Sequence, residues 1–519
     1  MKKRKFYLLI SLLLFASMIF TAASICEADN TYKGRKIAEQ IVIGNMRDPW
    51  HLDPANLHGN ENIFMVSLFM EGLVETNDEG TEIGPGLAES WEISDDKLIY
   101  TFHLKPGVKF SNGEPVLGED WVWSILRARD SIVSPYTFSA EAIENVMAPD
   151  DETVVINLKE PWAPILADLA MCNLVVQDKS YHEEVGEVKF SQIPVGTGPY
   201  LIKEWKKGEY LLFEKNPYYH KEGLPITQKI KFVTIEDNNT RILQLESGQT
   251  DAINFVPFSR MEDLNKNSDL KTIGMPSTEV MYAIFNNNVE PLDQRKVRLA
   301  LQYGTDKQEL INFVLYGYGK IAIGFAPPSG LFYNDQLVDY GYDVNKAKDL
   351  LAEAGYPNGF KVELLIQAGW AVYEQMAVIL KQQWAKIGVT VNILSLEAEY
   401  ANEKRRTMGH EIILAEWTDD ISDPAEIYDY VCKYETAKNY STGWINMEVD
   451  ALVEEALREL DPEKRKQKYF KIQEIFHQEV PLMPVFCIPY SFAMKNGIEG
   501  FVQTPLGEYR FEELVLYVD

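Results

Sequence analysis

Leu98, Tyr100, Phe102 and Leu104 alternate with Ile99, Thr101 and His103, a two-residue period that predicts a β-strand. Pro106-Gly107 turns the chain there, and residues 108–110 are expected to return beside that strand. Residues 153–158 and 230–234 read as further strands. Past residue 300 the period lengthens to that of helices. Thr305 opens one, with Gln308 at the capping-box position and Gly317 beyond its end. Asp343 caps a second, which lines Val344, Ala347, Leu350, Leu351 and Ala354 along one face and stops at Gly355. A third runs from about residue 372 through Met376, Ile379, Leu380, Trp384 and Ile387 to Gly388, and leads straight into a strand at 389–394. With a strand at 362–366, residues 343–394 read helix, strand, helix, strand, the alternation of an α/β layer on a partly parallel sheet. Two more helices follow: residues 447–460 with Val449, Leu452, Val453 and Ala456 inward, then one with Asp461 at its N-cap and Pro462 at its first position. Strands and turns dominate the first half and helices dominate 290–480, so two differently built lobes are expected.

The N-terminus follows another pattern. Lys2, Lys3, Arg4 and Lys5 precede an apolar and small-residue run over 6–20, and Thr21, Ala22, Ala23 and Ser24 follow it. The run falls short of the ~20 residues of a membrane span, so residues 1–28 read as a secretory signal peptide and the chain as exported. Cys26 is preceded by Ala23, Ser24 and Ile25; bulky Ile25 stands where a lipidation motif wants Gly or Ala, which argues against a lipid anchor. Cys172, Cys432 and Cys487 leave two readings open, one bridge plus a thiol or three free thiols.

Composition removes several functions. The 78 acidic and 50 basic residues give a formal charge of −28, which repels nucleic acid and anionic membrane surfaces. The sequence carries no nucleophile elbow, Walker loop or dinucleotide fingerprint, and His182-Glu183 lacks the second histidine of a zincin, so neither an enzyme nor a cofactor is expected. Gly196-Thr197-Gly198-Pro199 reads as a tight turn, because Pro199 has no N–H for a phosphate cradle. One cluster has recognisable chemistry. The apolar run 412–415 ends in Glu416-Trp417-Thr418-Asp419-Asp420, with Asp423-Pro424 shortly after. A strand end that delivers carboxylates beside an indole can receive a cationic group. The same residues also read as a solvated acidic loop after a core strand.

Several fragments stand in order along the chain: Leu52-Asp53-Pro54, Met70-Glu71-Gly72-Leu73, Gly86-Leu87-Ala88-Glu89-Ser90-Trp91, Tyr100-Thr101-Phe102-His103-Leu104, Gly196-Thr197-Gly198-Pro199-Tyr200 and Arg295-Lys296-Val297-Arg298-Leu299-Ala300-Leu301. Together they resemble family 5 extracytoplasmic solute-binding proteins, the dipeptide- and oligopeptide-binding components of ABC importers. The resemblance implies an α/β, two-lobed periplasmic-binding-protein-like fold with a hinge and an extra subdomain in the first lobe. It places lobe I at 29–284 and 486–519, with the subdomain at 60–190, and lobe II at 285–485, with crossing strands at 281–287 and 484–493. It implies a monomer of the periplasm or cell surface that takes a peptide ligand to membrane permease subunits driven by cytoplasmic ATPases, with no nucleic acid partner.

For the site, the resemblance implies that Asp420, three residues after Trp417, holds the ligand's α-ammonium, with Trp417 and Thr418 beside it. Gly59 and Asn60 would contact peptide main chain, and Tyr136 would be presented by the turn Ser134-Pro135-Tyr136. One departure stands out. Dipeptide-selective relatives carry an Arg for the ligand carboxylate where this chain reads Gln367-Ala368-Gly369-Trp370. Longer peptides, or an oligosaccharide or metal-chelate solute on the same scaffold, are the alternatives this leaves. Trp370, Trp417, Trp444 and Tyr440 would serve such solutes, but general burial preference favours reading them as core. A secreted hydrolase has only the acidic composition behind it.

Overall fold

The strand Val280–Phe285 is no more than 2% exposed at any residue, and its two-residue period sends alternate side chains into two different helix layers. Met281, Ala283 and Phe285 enter a core shared with the helices Arg295–Tyr303 and Ala371–Ala385. Val280, Tyr282 and Ile284 enter one shared with the helices Ala425–Cys432, Met447–Arg458 and Pro462–Glu479. In this computed structural model, which describes residues 30–57 and 59–518, the strand lies within a six-stranded sheet. Its order is Lys320–Ile321, Leu482–Cys487, Val280–Phe285, Ile412–Trp417, Lys361–Gln367, Thr390–Leu396. The last three strands run parallel, as the helix–strand alternation predicts. The expected leader, with Cys26, falls outside the described residues.

A seven-stranded sheet forms the other lobe, in the order Tyr200–Lys206, Tyr210–Lys215, Lys229–Thr234, Gln40–Asn45, Ala252–Asn254, Tyr490–Lys495, Leu270–Met275. The chain leaves this sheet after Met275 and enters the six-stranded one at Val280; it returns between Cys487 and Tyr490. The expected boundaries at 284/285 and 485/486 therefore move. Val280–Phe285 and Leu482–Cys487 each pair on both edges within the six-stranded sheet, so the changes of sheet fall at 276–279 and 488–489.

A third core surrounds a four-stranded antiparallel sheet, ordered Ala88–Ile93, Ile99–Leu104, Thr153–Leu158, Ile143–Asp150. The helix Gly118–Arg129 contributes Trp121, Ile125 and Ala128 to this core, each 0% exposed. This subdomain begins later than residue 60, because Ile63, Phe64, Met65, Val66, Leu68, Phe69 and Met70 pack into the core of the seven-stranded lobe. Residues 108–110 do not return beside Ile99–Leu104. Both edges of that strand are occupied, by Ala88–Ile93 and Thr153–Leu158, and Lys109 makes a single bridge to Pro115.

Helix starts are decided locally. The Asp343 carboxylate accepts the Lys346 N–H at 2.9 Å, and Asp461 accepts those of Glu463 and Lys464 at 3.0 and 3.2 Å, both as expected. The helix Lys307–Val314 differs: Asp306, not Thr305, caps it by accepting the Glu309 N–H at 2.9 Å. The Thr305 hydroxyl instead donates to the Leu301 carbonyl at 2.7 Å and accepts the Trp384 indole N–H at 2.9 Å, which ties two helices together. Among the described residues no disulfide joins Cys172, Cys432 and Cys487.

The Gly196-Thr197-Gly198-Pro199 turn is a contact between two backbones. The Gly198 N–H donates to the Phe69 carbonyl at 3.1 Å, and the Tyr200 N–H to the Leu68 carbonyl at 2.9 Å. A Cβ on Gly196 would stand 2.0 Å from the Phe69 carbonyl oxygen, and one on Gly198 would stand 2.6 Å from the Phe69 carbonyl carbon. Gly196→Ala is therefore expected to lower the unfolding free energy by about 1–3 kcal/mol in a denaturant titration. Gly84→Ala, where nothing lies within 4 Å, is the control and should change it by less than about 0.5 kcal/mol.

Candidate ligand-binding site

The strand Ile412–Trp417 pairs with Val280–Phe285 up to Trp417, opposite Val280, and the chain then leaves the sheet beside the crossing segment 276–279. Trp417 packs on Tyr430 and Tyr440, each 5.4 Å away between ring centroids. Its indole N–H donates to the Asp419 carboxylate at 2.7 Å. The Asp419 N–H in turn donates to the Thr278 hydroxyl at 2.9 Å, which pins the loop to the crossing. Asp423 accepts the Ala425 N–H at 2.8 Å at the start of the helix Ala425–Cys432. Asp423 also holds the Arg465 guanidinium in a two-pronged contact, with Nη2 to Oδ1 at 2.7 Å. The Asp420 N–H donates to a Glu426 carboxylate oxygen at 2.8 Å.

The first lobe closes over this loop. Ile421, 3% exposed, packs into the core of the seven-stranded lobe rather than that of its own. The Asn60 amide donates to the Thr418 hydroxyl at 3.4 Å, across 358 residues of sequence. Gly59 precedes the helix Asn60–Val66 with φ at +75°, a conformation that suits glycine, and its N–H donates to the Tyr136 hydroxyl at 3.3 Å. Ser134 places Tyr136 by accepting its N–H at 3.2 Å. The residues singled out in the sequence, Gly59, Asn60, Tyr136, Trp417, Thr418 and Asp420, thus meet at one junction of the two lobes. Trp370 begins the helix Ala371–Ala385, and the Arg47 guanidinium of the first lobe lies 5.4 Å over its ring. The cation near 367–370 therefore comes from the facing lobe. Tyr440 is core at 8% exposure, and Trp444 packs on Phe476 at 5.5 Å.

The four acids of the loop are not equivalent. Arg465 neutralises Asp423. Burial pushes Asp419 up to about 7, against the opposing indole N–H, with the charges of Asp420 and Asp423 adding to the rise. Burial also raises Asp420, opposed by its contact with Glu426. Glu426 rises well above the usual range, first through burial and then through the negative charges of Asp420 and Asp419. Among the described residues no Lys, Arg or His pairs with Asp420 or Glu426. Glu426 is buried and Asp420 is half-buried, and two carboxyls this close with no cation paired to either among the described residues favour sharing a proton. A cationic group can take that proton's place.

Tyr136 responds to the same field: burial raises its phenol and the charge of Asp420 adds to the rise. Three participants were missed in the sequence. Glu426 had a signal, since Asp423-Pro424-Ala425-Glu426 has the acid and proline pattern of a helix start. Thr278 and Arg465 had none, because each reaches the loop through the fold and not through local spacing.

Comparison with known proteins agrees with this architecture. The family model for bacterial extracellular solute-binding proteins, family 5 middle, matches residues 82–439. Heme-binding protein A of Haemophilus influenzae is 32% identical over 464 residues, 84% of each chain. The dipeptide-binding protein of Escherichia coli is 29% identical over 471 residues, 85% of this chain and 88% of that one. Among solved structures, the periplasmic binding protein DppA of Helicobacter pylori in complex with the peptide STSA superposes with a TM-score of 0.79 at 26% identity. That match covers 92% of this chain and 98% of the other. The substrate-binding protein CtaP of Listeria monocytogenes reaches a TM-score of 0.84 at 25% identity, over 93% and 100% of the two chains. A two-lobed fold, a loop clasped between the lobes and a match over most of the chain make this protein a member of family 5 of the bacterial extracellular solute-binding proteins.

Proposed function

We propose that this protein is a non-enzymatic receptor that captures peptides outside the cytoplasm and delivers them to the permease of an ABC importer. The observation that carries the reading is the carboxyl pair Asp420–Glu426 at the lobe junction, with which no cation pairs among the described residues. A free α-ammonium supplies the missing charge, with Asp420 as its principal acceptor and Glu426 behind it. Gly59, Asn60 and Thr418 would then meet the peptide main chain, and Tyr136 and Trp417 would wall the site. Relatives named for dipeptide binding and a neighbour with a bound peptide support the same ligand class. A relative is also named for heme, but a cluster of unpaired carboxyls disfavours an anionic solute at this position. The lobes hinge at 276–279 and 488–489, and closure over the peptide would present permease subunits, driven by cytoplasmic ATPases, with a distinct liganded form. We place the receptor, acting as a monomer, in the periplasm or at the cell surface.

Calorimetry with one tripeptide in free and N-acetylated forms tests the ammonium assignment. The free form should bind and the acetylated form should lose roughly 2–5 kcal/mol, and Asp420→Asn should lose a similar amount toward the free form alone. Equal affinity for the two forms would overturn the assignment.

The pH dependence has a definite sign. The folded-state pKa values of Asp420 and Glu426 lie above their unfolded values, so the stability they contribute is complete below the unfolded pKa and is lost as pH rises through the folded one. Asp420→Asn is therefore expected to stabilise the ligand-free protein by about 1–3 kcal/mol at pH 8 and by much less at pH 5, read by thermal unfolding. Peptide affinity should move oppositely in the native protein and weaken as pH falls from about 8 to about 5, because the ammonium must displace a proton.

A further inference from the structure

The subdomain touches the second lobe at one place with unusual geometry. The Arg458 guanidinium grips the Glu160 carboxylate with two parallel contacts, Nε to Oε2 at 2.9 Å and Nη2 to Oε1 at 2.7 Å. Arg458 also reaches Glu454 at 2.6 Å, so its head is held from both sides. Three residues along the subdomain, the Ala163 N–H donates to the Leu457 carbonyl at 2.8 Å. Between them the Trp162 indole N–H donates to the Asp168 carboxylate at 2.7 Å, and Asp168 is 2% exposed.

The surface gripped is the last turn of the helix Met447–Arg458, whose final carbonyls have no partners within the helix. Two consecutive carbonyls are read from opposite directions. Leu457 accepts from Ala163 of the subdomain, and Ala456 accepts the Arg465 Nε–H at 2.8 Å. Arg465 is the residue whose other nitrogens hold Asp423 in the loop that carries Asp420. Asp168 lies close enough to Asp423 and Arg465 for their charges to act on its carboxyl. The subdomain, the helix end and the ligand loop therefore form one connected set of contacts, whose links from Glu160 and Ala163 run between the lobes.

We infer that residues 160–168 of the subdomain are a latch that closes on the end of the helix Met447–Arg458, and that Arg458 positions the ligand loop through that closure. The subdomain becomes a second jaw beside the hinged lobes. The inference rests on the reading of this site as one that holds a ligand, but its main element, the Glu160–Arg458 grip, can be tested without one. Both side chains are about half exposed, at 44% and 43%, so exchanging them is compatible with folding.

Arg458→Glu sets three carboxylates against one another and should open the ligand-free protein, read as a larger radius of gyration in small-angle scattering. With Ala-Ala-Ala as the probe, the same variant should release peptide at least about fivefold faster in stopped-flow measurements. The exchange Glu160→Arg with Arg458→Glu should restore both readouts to within about twofold, which a merely structural defect would not allow. Raising salt from about 50 to about 500 mM should speed release from the native protein and leave the Glu160→Gln, Arg458→Gln pair unmoved. Unchanged scattering and release in Arg458→Glu, or an exchange that fails to restore them, would overturn the latch. Failure of the native protein to bind the tripeptide would instead overturn the peptide reading, and the scattering arm would still decide the latch.

Discussion

Keeping carboxyls out of water without a cation beside them is costly, and the lobe junction is built around that constraint. Asp420 and Glu426 are forced into contact because Ile421, between them in the loop, is buried in the opposite lobe and Asp423 is tied down by Arg465. With both ends of the loop fixed, Glu426 stays buried beside the half-buried Asp420, and sharing a proton relieves their repulsion. The Asp423–Arg465 pair shows the contrast within the same loop: a buried carboxylate with a two-pronged guanidinium is complete and has nothing left to recruit.

That constraint ties recognition to lobe movement. Asp419 is bonded to Thr278 in one crossing, Thr418 to Asn60 of the first lobe, and Ile421 to the first-lobe core. The Thr418 and Ile421 contacts join the two lobes and are lost if the lobes part, so the sheltered setting of Asp420 belongs to the closed form. In the open form water would reach the acids and their affinity for a cation would fall toward that of any surface carboxylate. A ligand bound at these acids as proposed would favour closure by the difference between its affinities for the closed and open forms, which is what a population shift requires.

Features decided within a few residues were legible in the sequence, and features decided by partners were not. Asp343 and Asp461 cap their helices because a carboxylate can reach an N–H two or three residues on. Thr305 and Asp306 were both able to cap, and Trp384, far along the chain, decided between them by engaging the threonine. The parallel strands around 362–394 followed from helix–strand alternation, whereas the lobe boundary at 276–279 did not. Val280–Phe285 is apolar on both faces and has no alternation to say which sheet it joins. At the site, the acidic loop and its indole could be seen, and resemblance pointed to Gly59, Asn60 and Tyr136. The environment that distinguishes Asp420 from other acids came from Glu426, Arg465 and the burial of Ile421, which are properties of closure.

The charge of −28 acquires meaning in the same terms. Most of the acids remain hydrated, where an ion pair is worth about 0–1 kcal/mol and is screened within about 10 Å at moderate salt. Such a surface raises the local concentration of cationic solutes of every kind and selects none of them. Selection needs a carboxyl that has lost its water and has room for only one replacement. In the site proposed, Trp417 and Tyr136 would supply apolar walls, Glu426 would oppose simple ionisation of Asp420, and closure would exclude bulk solvent. Abundant acidity brings cations toward the protein, whereas discrimination among them depends on how few of its carboxyls are dry.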